Sequence, residues 1–264
     1  MNKAHRNKKG TWLAVFLMMA APAVVWGAAG QQHVDTFYTT HTPHIILTNP
    51  TGTVVVKGWD RPQVYAVYII ASPRVEIDTE QVPSQGEAEK IQLATHLLDR
   101  NLQGGEAAVD YTLSVPMGAS LEIRSSQGSV RVDNLSGDTW VQSVGGDITI
   151  TGATGQVIAR SVGGQIEIDR ASGYVEASSV TGNLKLVSPT STQVHASTTS
   201  GQIFYEGNLV PAGNYVLQTY NGDINILCPP SSSFELNARC VHCKVFNHLK
   251  LSRWSHRPSA PSSG

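Results

Sequence analysis

Charge is scarce in this chain, and the shortage excludes some partners. Only 15% of its 264 residues are charged, with 19 basic residues against 20 acidic ones. Four of the basic residues lie within the first nine positions, so the remaining chain holds 15 basic and 20 acidic residues, a net charge of −5. A mildly acidic, hydroxyl-rich surface offers no basic footprint for a nucleic-acid backbone. We therefore expect no nucleic-acid partner.

Cysteine is also sparse. The three cysteines are Cys228, Cys240 and Cys243. A structural zinc site takes four ligands and usually a second cysteine pair, and a thioredoxin-like Cys-x-x-Cys needs a βαβ setting that the sequence pattern does not predict. In an exported chain the simpler expectation is one disulfide among the three and one remaining thiol. The pairing stays open.

Two further chemistries lack the residues they need. Calcium-binding nonapeptide rolls repeat Gly-Gly-x-Gly-x-Asp, and neither Gly145-Gly146-Asp147 nor Gly163-Gly164-Gln165 continues that motif. Carbohydrate-cleaving β-helices need carboxylates that face one another, whereas Asp133 and Asp169 lie at the ends of predicted strands 36 residues apart. We expect no metal, no cofactor and no enzymatic activity.

The N-terminus carries the features of a secretory signal. Four basic residues precede an apolar run from Trp12 to Val25, and small residues follow from Gly27 to Gly30. This pattern predicts a signal peptide over residues 1–29. An uncleaved anchor is the alternative, although the run is slightly short for a membrane span, and no nearby cysteine supports a lipoprotein. We expect a periplasmic, cell-surface or secreted protein that contacts a membrane only through an uncleaved signal.

Glycine recurs at a nearly fixed interval between Leu121 and Leu227. The interval is 18 residues three times, then 19 and 21, for Gly128, Gly146, Gly164, Gly182, Gly201 and Gly222. Each follows a serine or threonine by three positions and precedes an alternating pair such as Ile148 and Ile150. A different turn lies half a period away, at Gly137, Gly155 and Gly173. Two alternating corners joined by period-two strands are typical of a β-solenoid with coils of about 18 residues.

An antiparallel meander is the alternative architecture, because it could also place turns nine residues apart. In a meander all the turns could be of one type, whereas in this sequence the Ser/Thr-x-x-Gly turn alternates with the turn at Gly137, Gly155 and Gly173. Coils stacked at about 4.8 Å would place Ile148 over Val130 and Ile166 over Ile148, which creates an apolar interior. We predict a single-domain, all-β solenoid of about eight coils over residues 34–250, followed by a disordered tail over residues 251–264.

The first coil is separated from the others by an insertion. His44 to Val67 repeats the solenoid pattern, and the next copy of that pattern begins at Leu121. Between them, Ser84-x-x-Glu87 has the form of a helix capping box, and apolar residues follow at helical spacing at Ile91, Ala94, Leu98 and Leu102. We predict a helical insert over about residues 84–103 that shields the open edge of the first coil.

The motifs resemble a known family. Asn49-x-x-Gly52-x-Val54-x-Val56-x-Gly58-Trp59-Asp60, followed by an insert and then Gly146-Asp147-Ile148 and Gly222-Asp223-Ile224, is similar to the putative-adhesin domain of bacterial envelope proteins. The resemblance covers about residues 34–250. It implies a repetitive all-β fold, a cell-envelope location and an adhesive role, with no catalytic residues.

Any function would lie on the outward faces of the strands. Trp140 and Ile158 are predicted to be outward neighbours on adjacent coils. Exposed apolar neighbours either bind something or lie beneath another segment, and the predicted helix is the obvious cover. The favoured hypothesis is a non-catalytic, envelope-associated binding or adhesion module for a glycan, an envelope component or a protein. The alternative is a structural or envelope-sensing scaffold that assembles through its solenoid.

Overall fold

A computed structural model describes residues 30–99, 101–102, 104–239, 246 and 248. The predicted signal peptide and C-terminal tail lie outside these residues. Among the described residues, no helix is long and apolar enough to span a membrane. Regular structure there consists of eighteen strands and a single 3-10 turn, Gly104–Ala107.

The strands are short and follow one another closely along the chain. They are β1 (Gln31–Thr51), β2 (Val54–Trp59), β3 (Gln63–Ile70), β4 (Val75–Val82), β5 (Ala88–Leu97), β6 (Val109–Pro116), β7 (Ser120–Gln127), β8 (Val130–Asp133), β9 (Thr139–Ser143), β10 (Ile148–Thr151), β11 (Val157–Ser161), β12 (Ile166–Asp169), β13 (Tyr174–Ser179), β14 (Leu184–Val187), β15 (Gln193–Ser200), β16 (Ile203–Glu206), β17 (Asn214–Asn221) and β18 (Ile224–Leu227).

Two sheets stack these strands into coils. From β7 onward the chain alternates between the sheets, and from β9 onward each strand pairs in parallel with the strand two positions earlier. Even-numbered strands from β8 to β18 belong to sheet A, and odd-numbered strands from β7 to β17 belong to sheet B. An antiparallel meander would give antiparallel neighbours, so the prediction of a β-solenoid is confirmed.

The apolar interior lies between the two sheets. Ile148 pairs with Val130 on one side and with Ile166 on the other, and all three side chains are buried. Their outward neighbours along the strands are partly or fully exposed. The predicted stacking of Ile148 and Ile166 is therefore confirmed, and one continuous hydrophobic core runs along the stack.

The glycine corners bring successive turns of backbone into close contact. A Cβ atom added to Gly164 would lie 2.1 Å from the carbonyl oxygen of Gly146. The backbone N–H of Gly164 donates a hydrogen bond of 2.9 Å to the Oγ of Ser161. The Ser-x-x-Gly pattern thus has a physical cause: the serine satisfies the corner amide, and the glycine leaves room for the coil beneath.

The predicted helical insert is wrong. Residues 88–97 form strand β5, which pairs with β4 in an antiparallel hairpin and with β1 in parallel. Ser84 and Glu87 lie in the turn of that hairpin and are exposed, and so they cap no helix. Within β5 the alternating residues Ile91 and Leu93 are buried, whereas Leu98, assigned to the apolar helix face, is 63% exposed.

The insertion adds a coil to the stack. β5 pairs with the second half of β1 in sheet B, and β6 pairs with β2 in sheet A. The β5/β6 coil therefore forms the end of the stack, next to the β1/β2 coil, although it comes later in the sequence. The layers β5/β6, β1/β2 and β7/β8 through β17/β18 make eight coils. At this end, β3 adds to sheet A antiparallel to β6, and the first half of β1 pairs antiparallel with β3.

Candidate functional site

Strands β9 and β11 place the two predicted contact residues side by side. Trp140 and Ile158 are register partners on the outer face of sheet B. Their neighbours along the strands, including Val141 and Ala159, are buried in the core, so the alternation of the strands forces Trp140 and Ile158 outward. Both are half-buried.

No helix covers this pair in the described chain. The insert forms β4 and β5 at one end of sheet B, and strands β1 and β7 separate β5 from β9. The expected cover over Trp140 and Ile158 is therefore wrong. The pair lies on the outer face of sheet B, with strand β7 on one side and strand β13 on the other.

A polar row runs beside the apolar pair. The register places Arg124 beside Gln142, and Gln142 beside Arg160, on three consecutive coils. These three residues are exposed. We call the outward surface formed by Glu122, Arg124, Trp140, Gln142, Ile158, Arg160 and Glu176 the Trp140 face. It combines one large aromatic side chain with hydrogen-bonding side chains on the outside of sheet B.

Ion pairs and a cation–π contact hold the charged side chains of this face. Arg124 donates to Glu122 at 2.7 Å, and its Cζ lies 5.4 Å from the ring centroid of Trp140. A guanidinium over an indole is a favourable electrostatic arrangement. The guanidinium of Arg124 therefore packs against the indole ring of Trp140.

A second group of charges lies beyond Ile158. Arg160 donates to Glu176 Oε1 at 2.8 Å, and the hydroxyl of Tyr174 donates to Oε2 at 3.1 Å. Burial raises the pKa of Glu176, but the hydrogen bonds from Arg160 and Tyr174 outweigh burial, and the net pKa lies below the ordinary value. Burial, followed by the hydrogen bond to Glu176, raises the pKa of Tyr174. Glu176 is therefore held in its charged form.

The outer face of sheet A carries a group of charged side chains on strands β8, β12 and β14. Lys185 donates to Glu167 at 2.8 Å, and Arg131 donates to Asp133 at 3.0 Å. These hydrogen bonds raise the pKa values of both Lys185 and Arg131. Exposed pairs of this kind contribute little to stability. Strands β8, β10, β12 and β14 present no aromatic side chain on this face, so the surface is a weaker candidate than the Trp140 face.

The cysteines do not form a site in the described residues. Cys228 follows β18 and is buried with a free thiol. Cys240 and Cys243 lie outside the described residues, so the disulfide stays a prediction.

Arg124, Gln142 and Arg160 were missed by sequence reasoning. They recur at intervals of 18 residues, two positions after the ladder that contains Trp140 and Ile158. Alternate residues of a strand point to the same side, so the residue two positions after each predicted outward residue also points outward. Applying this rule to the sequence would have identified all three.

The fold defines the class of this protein as a two-sheet β-solenoid. The chain belongs to the Toastrack DUF4097 family, which it matches over residues 68–210, slightly more than half of its length. A comparison with curated proteins finds no match.

Two solved structures are similar to the chain. One is a putative cell adhesion protein from Clostridium sporogenes ATCC 15579, with 12% identity and a TM-score of 0.41 across 75% of this chain and 99% of that one. The other is a putative adhesin from Parabacteroides distasonis ATCC 8503, with 10% identity and a TM-score of 0.35 across 75% of this chain and 98% of that one.

Proposed function

We propose that the protein is exported and acts as a non-catalytic binding module of the cell envelope, with the Trp140 face as its contact surface. The observation that carries the proposal is the pairing of Trp140 with Ile158 on the outside of adjacent coils. These two large apolar side chains lie side by side among the polar residues of the Trp140 face and have no packing role in the core. Such neighbours mark an interaction surface.

The chemistry of the Trp140 face suits a flat, hydroxyl-rich ligand such as an envelope glycan. An indole ring offers a platform for the apolar face of a sugar ring, and amphipathic aromatic side chains are common at contact surfaces. Gln142 provides both donors and acceptors of hydrogen bonds, and Arg160 provides donors. Sugar hydroxyls need both kinds of partner. A glycan is therefore the ligand class that we propose first, ahead of a protein.

The proposal is tested by measuring binding of the purified exported chain to an array of glycans and to cell-envelope fractions. We expect retention on at least one polysaccharide and loss of retention in Trp140→Ala. The matched control is Phe204→Ala, because Phe204 is a half-buried outward aromatic on sheet A, beside Lys185. Equal binding by wild type and Trp140→Ala, or equal loss in both variants, would exclude the Trp140 face.

A scaffold that assembles is the second candidate, and the far end of the stack supports it. Ile224 and Ile226 are register partners of the buried residues Ile203 and Tyr205, yet both are more than one-third exposed on the last coil, β17/β18. At the other end sheet B finishes with β4, an antiparallel edge strand that exposes Glu76, Asp78 and Glu80. Charged edges discourage pairing.

A head-to-tail fibre would require the β17/β18 end of one copy to pair with the charged β4 end of the next. A dimer in which two β17/β18 coils meet avoids the charged end, so we favour the dimer. Sedimentation velocity over a range of protein concentrations tests this candidate. Ile226→Lys should abolish assembly, whereas Glu80→Lys at the opposite end should leave it unchanged. A chain that stays monomeric at all concentrations would contradict the scaffold.

A further inference from the structure

The end of sheet A that holds β1 and β3 has an apolar outer face. The antiparallel register places Val34 beside Val67, and Gln32 beside Ile69, on the side of the sheet that faces away from the core. Tyr38 is 68% exposed and Val34 is 47% exposed. We call Val34, Tyr38, Trp59, Tyr65, Val67 and Ile69 the end patch.

The end patch takes residues from β1, β2 and β3, and β6 lies between β2 and β3 with the polar residues Asp110, Thr112 and Ser114 on the same face. The rings of Trp59 in β2 and Tyr65 in β3 lie 6.4 Å apart between centroids. The Nε1 of Trp59 donates to the carbonyl oxygen of Gln63 at 2.8 Å, so the polar atom of the indole already has a hydrogen-bond partner. Clustered apolar side chains of this size mark a contact with a protein or a membrane.

The position of Gly30, where the described chain begins, favours a membrane over a protein as the partner of the end patch. Gly30 is the first described residue, and a Cβ atom on it would lie 3.0 Å from Cγ2 of Ile69. Gly30, where the described chain begins, therefore lies at the border of the end patch. Val25, the last residue of the apolar run, is five positions earlier, and five extended residues reach at most about 17 Å. If the apolar run inserts in a bilayer, the end patch must lie close to its surface.

The side chains of the end patch are those found where proteins meet lipid. Tyrosine and tryptophan concentrate at the headgroup level of bilayers, where a ring can be partly apolar and partly hydrated. Arg61 lies with its Cζ 5.1 Å from the ring centroid of Trp59, and Lys57 is exposed on the same strand as Trp59. Cations at the margin of an apolar patch attract lipid phosphates and anionic headgroups.

We propose that the end patch rests on a lipid bilayer surface in the chain that retains the N-terminal apolar segment as its anchor. The solenoid is thereby held by the outer face of sheet A at one end. The Trp140 face, on the outer side of the opposite sheet, points away from that contact. This proposal does not depend on the glycan-binding function and is tested separately.

The test uses the full chain with one tryptophan at a time. The sequence has five tryptophans. One reporter keeps Trp59 and the other keeps Trp140, with the remaining four replaced by phenylalanine. Each is reconstituted into vesicles of phosphatidylcholine and phosphatidylglycerol, with and without acyl-chain-brominated phosphatidylcholine, which quenches nearby indoles. We expect severalfold stronger quenching of Trp59 than of Trp140. Equal quenching of the two, or none at Trp59, would overturn the proposal.

A second substitution separates lipid contact from a folding effect and from a protein interface. Tyr38→Asp in the Trp59 reporter should abolish quenching while the far-ultraviolet circular dichroism spectrum stays unchanged, because the Tyr38 side chain is largely exposed. Tyr220→Asp is the matched control, since Tyr220 is 90% exposed on β17 near the opposite end, and it should keep the quenching. Persistent quenching in Tyr38→Asp would contradict lipid contact. An unquenched Trp59 together with a detergent-solubilised dimer that Tyr38→Asp dissociates would assign the end patch to a second copy of the chain instead.

Discussion

At the scale of single residues, adjacent glycines in one corner have opposite roles. A Cβ atom on Gly164 would overlap the carbonyl oxygen of Gly146, whereas one on Gly163 would lie 3.6 Å from the carbonyl oxygen of Val144, an ordinary contact. We predict that Gly164→Ala lowers the free energy of unfolding by about 2 kcal/mol or more, because the stacked coils must separate, and that Gly163→Ala changes it by less than about 0.5 kcal/mol. Urea denaturation measures both, and equal effects would contradict the stacking of the corners.

The Glu176 carboxylate makes stability depend on pH. Its folded pKa lies below the ordinary value of 4.5, because the bonds from Arg160 and Tyr174 outweigh burial. The stabilisation is therefore fully present above the unfolded pKa and is lost as the pH falls through the folded pKa. We predict that the difference in melting temperature between wild type and Glu176→Gln is largest at neutral pH and shrinks below about pH 4.5.

Arg160→Gln should reduce the same pH dependence, because it removes the main partner of the carboxylate. Melting temperatures of wild type and the two variants, measured between neutral and acid pH, test both statements. Parallel curves for wild type and Glu176→Gln would show that the carboxylate contributes nothing.

At the scale of strands, the alternation of side chains decides which substitutions the fold tolerates. Ile166 is fully buried between Ile148 and Leu184, whereas Thr149 lies on the outer face. Burying an unpaired carboxylate costs several kcal/mol, which is comparable to the total stability of about 5–15 kcal/mol for a typical domain. We predict that Ile166→Asp unfolds the protein and that Thr149→Asp lowers the melting temperature only slightly.

Circular dichroism at room temperature distinguishes the two variants. If Ile166→Asp and Thr149→Asp were tolerated equally, the assignment of inward and outward faces would be wrong. The phase of the alternation was predictable from sequence, because a shift by one residue would turn every isoleucine of the ladder to solvent.

The insert shows where local pattern is insufficient. Ile91, Ala94, Leu98 and Leu102 fit a helix, but Ile91 and Leu93 fit a strand equally well, and short apolar runs are ambiguous between the two. The structure resolves the ambiguity through pairing, because the open edge of β1 in sheet B offers β5 a parallel partner, with Leu93 beside Leu47. Sequence alone could not show that edge, since the partner strand lies some 45 residues earlier.

At the scale of the whole molecule, periodic parts of the structure were predictable and aperiodic parts were not. The 18-residue repeat specified the coils, their stacking and the neighbouring positions of Trp140 and Ile158. The end patch has no repeat, because the antiparallel pairing of β1 with β3 assembles it from residues such as Val34 and Val67 that are far apart in the chain. Its existence follows only from the three-dimensional register.

The central claim is that the outer face of sheet B, around Trp140, is a contact surface without a role in folding. Paired measurements of stability and binding on two adjacent residues test it most directly. Trp140 is outward and half-buried, whereas Val141 is fully buried. Truncation of Val141 removes two buried methyl groups, at a cost of about 1–2 kcal/mol.

We predict that Trp140→Ala leaves the melting temperature nearly unchanged and abolishes binding to the envelope glycan or fraction that retains wild type, whereas Val141→Ala lowers the melting temperature and retains binding below its transition. The opposite result would contradict the claim: a melting temperature lowered as much in Trp140→Ala as in Val141→Ala, with binding intact, would assign Trp140 to packing.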